Sequence, residues 1–377
     1  SESRINFKIK DLPKYVDEAK RYGVNAIQLT GWSYGGQDRG LPNFSVDPRL
    51  GTAEEFRKVI ADAQKKGVNI LLFTKFTWAD LTTEYHEKYL PHRAINASLD
   101  PYVHPGYNYN TYTHRFTIHC MMDDELRSML HTEFQKCLDL GAAGMVYDEN
   151  QHHAGAMLCF DPNHGHRVPG FNYQGADKLG REFYEMCQKS NPDFLMVGEG
   201  CYDLQSQYYG TYTRADYWHE PVLRYIDPTV PIACAVIDHN DLNHVNMCLA
   251  DRYAMSYEVR NFKGHLGEFP RVMAYGRKVD NLRRRYADFL WNGEFLDVLG
   301  ATVKGDNIRY TVFRNLKNGK KAVVVYNVDT KKANTASISI DGSSAPLVMA
   351  SPEKPAPAKF TGAVTLGPQS AVVIMEK

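Results

Sequence analysis

The feature that most constrains the fold is a unit that recurs from residue 11 to about residue 260: an amphipathic helix, a turn, an apolar strand and a polar loop. In DLPKYVDEAKRYGVNAIQLTGW the apolar residues follow helical spacing up to Tyr22, Gly23 ends the helix, and Asn25 to Thr30 has the pattern of a strand. The unit recurs as TAEEFRKVIADAQKKGVNILLFTKF, DDELRSMLHTEFQKCLDLGAAGMVYDEN and GADKLGREFYEMCQKSNPDFLMVGEG. This alternation predicts parallel strands joined by right-handed crossovers.

Weaker strand candidates bring the predicted set to eight. The predicted strands are Ile5 to Ile9 and segments that begin near Asn25, Asn69, Gly144, Phe194, Ala215, Ile232 and Tyr253. Phe116 to Cys120 is predicted as a short extra strand in the loop after strand three. Eight parallel strands that alternate with helices predict an α/β fold, a (β/α)8 TIM barrel.

The sequence pattern changes after a basic helix predicted over Arg271 to Trp291. From about Gly300 the strands IRYTVFRNL, KKAVVVYNV, ASISID, APLVMA, FTGAVTL and SAVVIME alternate with turns such as KNGK and DGSS. This pattern predicts a small antiparallel β-sandwich. The predicted domains are therefore a barrel over residues 1–295 and a C-terminal β-sandwich over residues 296–377.

The charge balance excludes some classes of partner. Lys plus Arg and Asp plus Glu both number 44, so the formal net charge is zero. Nucleic acids and anionic membranes need clustered cationic surface, which argues against both as main partners. No apolar run approaches the roughly 20 residues that a membrane span requires. The start, SESRINFKIK, lacks the apolar stretch of a signal peptide, so location is open, with a secreted or periplasmic one slightly favoured if an upstream signal was removed.

The seven cysteines include no CxxC pair and are irregularly spaced. Such a set predicts buried free thiols, and it indicates neither a disulfide framework nor a zinc ribbon. No cofactor is predicted.

Two acids stand where a barrel enzyme carries its chemistry, at the carboxyl ends of neighbouring strands. Asp148 follows the apolar run GMVY, and Glu199 follows FLMVG. Neighbouring strands lie about 5 Å apart, and a retaining glycosidase needs its two carboxyl groups about 5–5.5 Å apart. We therefore predict Asp148 and Glu199 as the catalytic pair. Glu149 ranks second, because alternation along a strand sends it to the opposite side from Asp148.

Other polar and aromatic residues at the predicted strand ends are candidates for substrate binding. Tyr and Trp offer flat apolar faces on which sugar rings can stack, with core packing as the alternative. Lys75 could bind a hydroxyl or an anionic group, with a surface salt bridge as the alternative. The candidate set is Trp32, Asp38, Lys75, Trp78, Tyr147, Glu149, His152, Asp216, Trp218, His219, Asp238 and His239.

At these residues the chain resembles glycoside hydrolase barrels. The segments AIQLTGWSY, GVNILLF and FTIHCMMDDELRSML are similar to segments of the melibiase-like α-galactosidase clan. In that clan the Asp that ends strand four is the nucleophile, which corresponds to Asp148. That clan usually carries Lys two residues before this Asp, whereas this chain has Val146. The position of Glu199 resembles the α-amylase superfamily and the endo-α-N-acetylgalactosaminidases, in which a Glu on strand five is the acid/base.

These resemblances imply a mechanism. Both clans cleave α-glycosidic bonds with retention, so Asp148 would attack the anomeric carbon and Glu199 would protonate the leaving oxygen and then activate water. That division of roles requires an ionised Asp148 and a raised pKa for Glu199. Asp238 or Asp216 would bind sugar hydroxyls or stabilise the transition state, and the substrate would be an oligosaccharide or glycoside.

Two other readings stay open. The loop DENQHHAGAMLCFDPNHGH gathers carboxylates and imidazoles that could hold Zn²⁺ or Mn²⁺ in a metal-dependent hydrolase. Its candidate ligands are Asp148, Glu149, His152, His153, Asp161, His164 and His166. The third reading is a barrel that binds glycans without cleaving them, for which a gap of more than about 10 Å between the Asp148 and Glu199 carboxyl groups would speak.

Overall fold

The computed structural model describes residues 7–104, 115–150, 158–199, 203–215, 222–226, 228–236, 242–259 and 264–377. The chain divides into two compact units, residues 1–213 and residues 214–377. The predicted domain boundary between residues 295 and 296 rests on the change in sequence pattern, and it stays a prediction. Across the described ranges, none of the helices combines the length and apolar character that crossing a lipid bilayer requires.

The first unit alternates helices and strands. Its helices are α1 (Leu12–Tyr22), α2 (Ala53–Lys65), α3 (Asp124–Asp139) and α4 (Asn172–Ser190), with short 3-10 helices at Ile9–Asp11, Glu84–His92, Pro162–His164 and Asp203–Gln207. Its strands are β1 (Ala26–Leu29), β2 (Asn69–Thr74), β3 (Trp78–Asp80), β4 (Val103–His104), β5 (Phe116–Ile118), β6 (Gly144–Tyr147), β7 (Leu158–Cys159), β8 (Gly170–Phe171), β9 (Leu195–Glu199) and β10 (Thr211–Ala215). The four predicted helix-to-strand units are confirmed.

Local chemistry explains where these helices begin and end. Thr52 caps α2 by accepting a hydrogen bond from the Glu55 N–H, and the Glu55 carboxylate accepts one from the Thr52 N–H in return. Asp123 caps α3 in a similar way, accepting from the N–H groups of residues 125 and 126. Gly23, with φ of 78°, ends α1.

A parallel sheet forms the centre of this unit. The strand order is β1, β2, β6, β9, β10, and every neighbouring pair is parallel. Beside it, β5 pairs antiparallel with both β3 and β4, and β7 pairs antiparallel with β8. The predicted extra strand at Phe116 is thus confirmed, two residues shorter than expected.

The predicted strand over Ile5 to Ile9 is wrong in its described part. Ile9 begins a 3-10 helix instead of ending a strand. The Asp11 carboxylate accepts a hydrogen bond from the Lys8 N–H at 3.2 Å, which closes this turn, and Pro13 fixes the start of α1 just behind it. These local bonds outweigh the alternating pattern of a five-residue stretch.

The second unit combines helices with antiparallel sheets. Its helices are α5 (Val222–Ile226), α6 (Leu242–Ala250), α7 (Pro270–Arg285) and α8 (Ala287–Leu290), with a 3-10 helix at Leu266–Glu268. Its strands are β11 (Ile232–Val236), β12 (Tyr253–Tyr257), β13 (Glu294–Phe295), β14 (Ala301–Lys304), β15 (Ile308–Arg314), β16 (Lys321–Asn327), β17 (Asn334–Ile340), β18 (Leu347–Ala350), β19 (Ala358–Lys359), β20 (Ala363–Leu366) and β21 (Ala371–Glu376). The single basic helix predicted from the sequence is two helices, because Tyr286 leaves the helical conformation and interrupts it.

The six predicted C-terminal strands all exist, and β13, β14 and β19 were not predicted. β11 and β12 form a parallel pair. The antiparallel strands form one sheet in the order β13, β15, β16, β21, β18, β19 and another in the order β14, β17, β20. Inward-facing residues of both sheets, such as Val323, Ile338 and Ile374, form a single hydrophobic cluster, and burial of this apolar surface stabilises the C-terminal strands.

Candidate active site

Three neighbouring strands end at the same level and place charged residues in one row. In the sheet register Thr74 lies opposite Tyr147, and Tyr147 lies opposite Gly198. Lys75, Asp148 and Glu199 each come one residue after these aligned positions. Since adjacent parallel strands are about 4.8 Å apart and side chains at one level share a face, this register brings the three side chains together.

Lys75 is the centre of the resulting cluster. Its ammonium nitrogen lies 2.9 Å from Asp38 Oδ1, 2.9 Å from Asp148 Oδ2 and 2.8 Å from Glu149 Oε2. The Lys75 side chain is only 4% exposed, so the expected alternative of a surface salt bridge is wrong. The indole ring of Trp78 covers the same ammonium group at 4.7 Å from the ring centroid, a cation–π contact.

Glu149 lies on the same side as Asp148, which corrects the prediction from strand alternation. β6 ends at Tyr147, so the two acids lie beyond the regular strand. Glu149 has φ of 53°, a left-handed conformation in which the alternation of a strand no longer holds. Its carbonyl oxygen accepts a hydrogen bond from Thr77 Oγ1 at 3.0 Å, which supports this turn.

Asp148 and Glu199 lie side by side, and their role as a catalytic pair stays a prediction. A side-chain hydrogen bond joins their carboxyl groups. The Glu199 carboxylate also accepts the backbone N–H of Glu149 at 3.0 Å, and the Asp148 N–H donates to Thr74 O at 2.9 Å. The two carboxyl groups are therefore not separated by the gap of more than about 10 Å that would favour a barrel that binds glycans without cleaving them.

The charge state of this cluster differs from the expectation. Burial raises the pKa of Asp148 to about 7; Lys75 lowers it and the adjacent Glu199 carboxyl raises it further. Asp148 was expected to stay ionised, and the direction is the opposite. Burial also raises the pKa of Glu149 against the opposing effect of Lys75. Burial alone would lower the pKa of Lys75, but its three carboxylate partners raise it above its usual value, so Lys75 is charged at neutral pH.

The cluster contains more carboxyl groups than ammonium groups. One ammonium group faces three carboxyl groups, and a fourth, that of Glu199, is bonded to Asp148. Burial and the neighbouring carboxyl group raise the pKa of Asp148 to about 7, so Asp148 is partly protonated at neutral pH and its proton bridges to the Glu199 carboxyl group. A carboxyl pair with one proton between its members can act as an acid on one side and a nucleophile or base on the other.

The aromatic candidates lie in the interior. Trp32 is 1% exposed and donates its indole N–H to Phe73 O at 2.8 Å. Tyr147 is 2% exposed and packs edge-on against Phe76. Trp78 is also buried and packs against Phe116 in a tilted arrangement, with 4.9 Å between the ring centroids. In this structure their rings take part in core packing, with Trp78 closest to the charged cluster.

The remaining candidates divide into two groups. Asp38 reaches the cluster from the loop after β1, as its contact with Lys75 shows. The rest lie outside the described residues: His152, Asp216, Trp218, His219, Asp238 and His239.

The predicted metal-binding loop is not gathered as expected. Among the described residues, the group whose ligand atoms converge consists of Cys120, Cys159, His164 and His166. It contains neither Asp148 nor Glu149, whose carboxylates face Lys75. His153 lies outside the described residues.

One role was missed at the sequence level, that of Lys75 as the cation beside Asp148. The resembling clan has a Lys two residues before its nucleophile, and here a Lys from the neighbouring strand β2 contacts the corresponding acid. A signal was present, because Lys75 follows the apolar run NILLFT directly. A lysine that directly follows a buried strand has to find anionic partners.

Solved structures of several glycoside hydrolases share this fold. A maltogenic α-amylase from Thermotoga neapolitana aligns over 100% of this chain and 96% of its own, with a TM-score of 0.66 and 11% identity. The trehalose-6-phosphate hydrolase of Bacillus licheniformis aligns over 98% of this chain and 95% of its own, with a TM-score of 0.66 and 11% identity. The galactosidase domain of the α-galactosidase-sucrose kinase AgaSK aligns over 99% of this chain and 53% of its own, with a TM-score of 0.68 and 13% identity.

At these identities the likeness concerns the fold. No curated protein matches the chain. One family's sequence model covers residues 3–231, which is more than half of the 377 residues. The chain therefore belongs to the family described as a domain of unknown function, DUF6259.

Proposed function

We propose that this protein is a retaining glycoside hydrolase that cleaves an α-glycosidic bond, built as a (β/α)8 barrel over residues 1–295 and a β-sandwich over residues 296–377. The observation that carries the proposal is the bonded pair of Asp148 and Glu199 at the aligned ends of β6 and β9. By name, the three structurally similar proteins are an α-amylase, a trehalose-6-phosphate hydrolase and an α-galactosidase. Enzymes of these kinds support the α-glycosidic class.

In the proposed reaction Asp148 attacks the anomeric carbon and Glu199 protonates the leaving oxygen. A substrate must place its anomeric carbon beside Asp148 and its glycosidic oxygen beside Glu199, with Asp148 on the face of the carbon opposite that oxygen, which breaks the hydrogen bond between the two carboxyl groups. Asp148 then loses one of the contacts that raise its pKa, while Lys75 remains 2.9 Å away and favours the ionised form. The shared proton is left on Glu199, where the leaving group needs it. Glu199 would then activate water to release the sugar from Asp148.

Asp38 and Glu149 are proposed to bind sugar hydroxyls. Each contacts Lys75 through one carboxylate oxygen, which places both carboxyl groups beside Asp148, and a carboxylate is able to accept hydroxyl hydrogen bonds. His152, Asp216, Trp218, His219, Asp238 and His239 stay proposals for the same pocket on the sequence argument alone. The test of the whole proposal is hydrolysis of a panel of aryl α- and β-glycosides, with the anomer of the first product read by NMR; hydrolysis of β-glycosides alone, or inversion, would refute it.

Glu199→Gln separates the two halves of the reaction. We expect its kcat on an alkyl α-glycoside to fall by about 10²–10⁴-fold, because the leaving oxygen loses its acid. On a dinitrophenyl glycoside, whose leaving group needs no proton, the first step should stay fast and a glycosyl-enzyme should accumulate as a burst. The control is Glu185→Gln on the exposed face of α4, which should behave as wild type. Equal losses on both substrates would contradict the assignment.

The pH profile provides a second check. Since the pKa of Asp148 is raised to about 7 within a pair that shares one proton, kcat/KM should fall as the pH rises through about 7. The sign follows from the mechanism, because the protonated pair is the active form and its last proton is lost above this pH. Kinetics on an activated and an unactivated glycoside from pH 4 to 10 measure the limb, and an activity that is flat up to about pH 9 would be inconsistent with the shared proton.

A further inference from the structure

Four side chains that play no part in the proposed reaction converge within the first unit. Cys120, Cys159, His164 and His166 each offer one ligand atom, and these atoms lie within 4.8 Å of one another. The three residues Cys120, Cys159 and His164 are buried, and His166 is partly buried. The set consists of two thiols and two imidazoles.

The spacing of the ligand atoms is close to that of a tetrahedral zinc site. Cys120 Sγ lies 3.3 Å from His166 Nε2, and Cys159 Sγ lies 3.4 Å from His164 Nδ1. With Zn–S of about 2.3 Å and Zn–N of about 2.0–2.1 Å, the edges of a tetrahedron are roughly 3.3–3.8 Å. Two edges are therefore already formed, and the widest separation of 4.8 Å has to close by about 1 Å.

The second nitrogen of each histidine is held as zinc sites hold it. His164 Nε2 lies 2.8 Å from Pro91 O, and His166 Nδ1 lies 2.9 Å from Arg167 O. A hydrogen bond of this kind fixes the tautomer, so the nitrogen that faces the cysteines has a free lone pair. Both histidines are thus oriented to donate to a metal between the two sulfurs.

The cysteines accept backbone hydrogen bonds in a repeated pattern. The N–H of Met122 donates to Cys120, and that of Asp161 donates to Cys159, two residues onward in each case. Cys159 accepts a second N–H, from Ile95, at 3.5 Å. Backbone N–H groups in this arrangement are able to donate to a thiolate, the form of cysteine that binds metal.

The absence of a side chain at Gly170 leaves the space that the His166 ring occupies. Cys159 lies opposite Gly170 in the β7–β8 hairpin. A Cβ atom on Gly170 would come within 2.5 Å of the His166 ring, so a side chain there would push His166 out of the cluster.

We propose that Cys120, Cys159, His164 and His166 form a structural zinc site that fastens the segment 158–170 to the end of β5. Two thiolates and two neutral imidazoles balance the charge of Zn²⁺, which makes the ion acceptable in a buried position. The protein fills all four coordination positions, so the ion has a structural and not a catalytic role. Soft sulfur with imidazole in a tetrahedron selects zinc among the available divalent ions. The site would anchor the chain that continues from Asp148 after β6.

The test is metal analysis of the purified full chain, after any affinity tag has been removed. We expect about one zinc per chain in the wild type, and at least about a tenfold lower zinc content in Cys120→Ser and in Cys159→Ser. The matched control is Cys187→Ser, since Cys187 is a buried thiol in α4 outside the cluster; it should keep its zinc. Because the readout is metal content, it does not depend on any glycosidase activity.

Cobalt gives a second readout that needs no variant to fold. Wild-type protein treated with a chelator and then with Co²⁺ should show thiolate-to-cobalt charge transfer and the strong visible bands of tetrahedral coordination. A metal-free wild type with no such bands would overturn the proposal. So would zinc that both Ser variants retain, or a Cys120–Cys159 disulfide found as a reducible loss of two hydrogens in the intact mass.

Discussion

Asp148→Asn should reduce kcat on aryl α-glycosides by at least about 10³-fold, and on activated leaving groups as well as poor ones. The substitution keeps the size of the side chain and removes the nucleophilic oxygen charge. Loss on every leaving group distinguishes this variant from Glu199→Gln, which spares activated substrates. Initial-rate kinetics on the same panel of glycosides measure the difference.

Folding should survive this substitution. Because the environment raises the pKa of Asp148 from 3.8 to about 7, ionisation of this residue costs stability as the pH rises between those values. An asparagine never ionises, so Asp148→Asn should be no less stable than the wild type at pH 8 in a thermal melt. The loss of activity is then chemical and not a consequence of unfolding.

Azide provides the decisive control for the role of Asp148. In Asp148→Gly the small anion can enter the space of the missing carboxylate and attack the anomeric carbon, which would give a glycosyl azide of inverted configuration. In Glu199→Ala azide would instead attack the glycosyl-enzyme and give the retained configuration. Asp62→Asn, on the exposed face of α2, should give no azide product. If Asp148→Gly gave the retained product, Asp148 would not be the nucleophile.

The fold was predictable wherever local signals agree with the tertiary structure. The helices around Tyr22, Phe56 and Phe134 carry apolar residues at helical spacing, and each is followed by an apolar strand of the parallel sheet. The two-residue strands β13 and β19 were missed because a pattern of period two needs a longer run to stand out. The expected strand at Ile9 failed because the Asp11 carboxylate and Pro13 favour a helical turn at that point.

The proximity of the proposed catalytic pair could be predicted from the sequence, and the contacts around the pair could not. Asp148 and Glu199 end apolar runs, so sheet register alone brings them together. The contact between Glu149 and Lys75 depends on the positive φ of Glu149, which no periodicity encodes. The reach of Asp38 depends on the path of the loop after β1, and loop paths follow tertiary packing more than composition.

The proposed zinc ligands show the same limit more strongly. Cys120 and Cys159 are separated by 38 residues and belong to no motif, so only the fold juxtaposes them. The one local signal was the pair His164 and His166, which the sequence analysis grouped with the carboxylates of the same loop. The structure divides that loop between two clusters, one around Lys75 and one around the cysteines.

Lys75→Met should be the most disruptive single change in the charged cluster. Lys75 is 4% exposed and contacts Asp38, Asp148 and Glu149, so its removal leaves buried carboxyl groups without their cation. Breaking a buried ion pair from one side costs about 3–5 kcal/mol, and we expect a loss of this size at neutral pH. Lys65→Met removes an exposed pair with Asp62 and should leave stability close to that of the wild type.

The dependence of this loss on pH tests its electrostatic origin. Lys75 lowers the pKa of both Asp148 and Glu149, so without it the pKa values of these folded carboxyl groups rise further above those of the unfolded chain. The folded variant then binds more protons than the unfolded chain over a wider range above about pH 4, and its stability falls with rising pH across that range.

Denaturant unfolding of the wild type and Lys75→Met at pH 5 and pH 8 measures this difference. The destabilisation should be clearly greater at pH 8. At that pH the carboxyl groups of the unfolded chain are ionised, whereas those buried without Lys75 must either ionise at a cost in free energy or stay protonated. A variant that loses the same stability at both pH values would have lost packing and not charge. Activity adds an independent reading, because Lys75 also favours the ionised nucleophile during attack. We expect kcat at the optimum to fall by about 10²–10³-fold and the alkaline limb of kcat/KM to move upward in pH, whereas this limb would disappear if Lys75 itself were the titrating group.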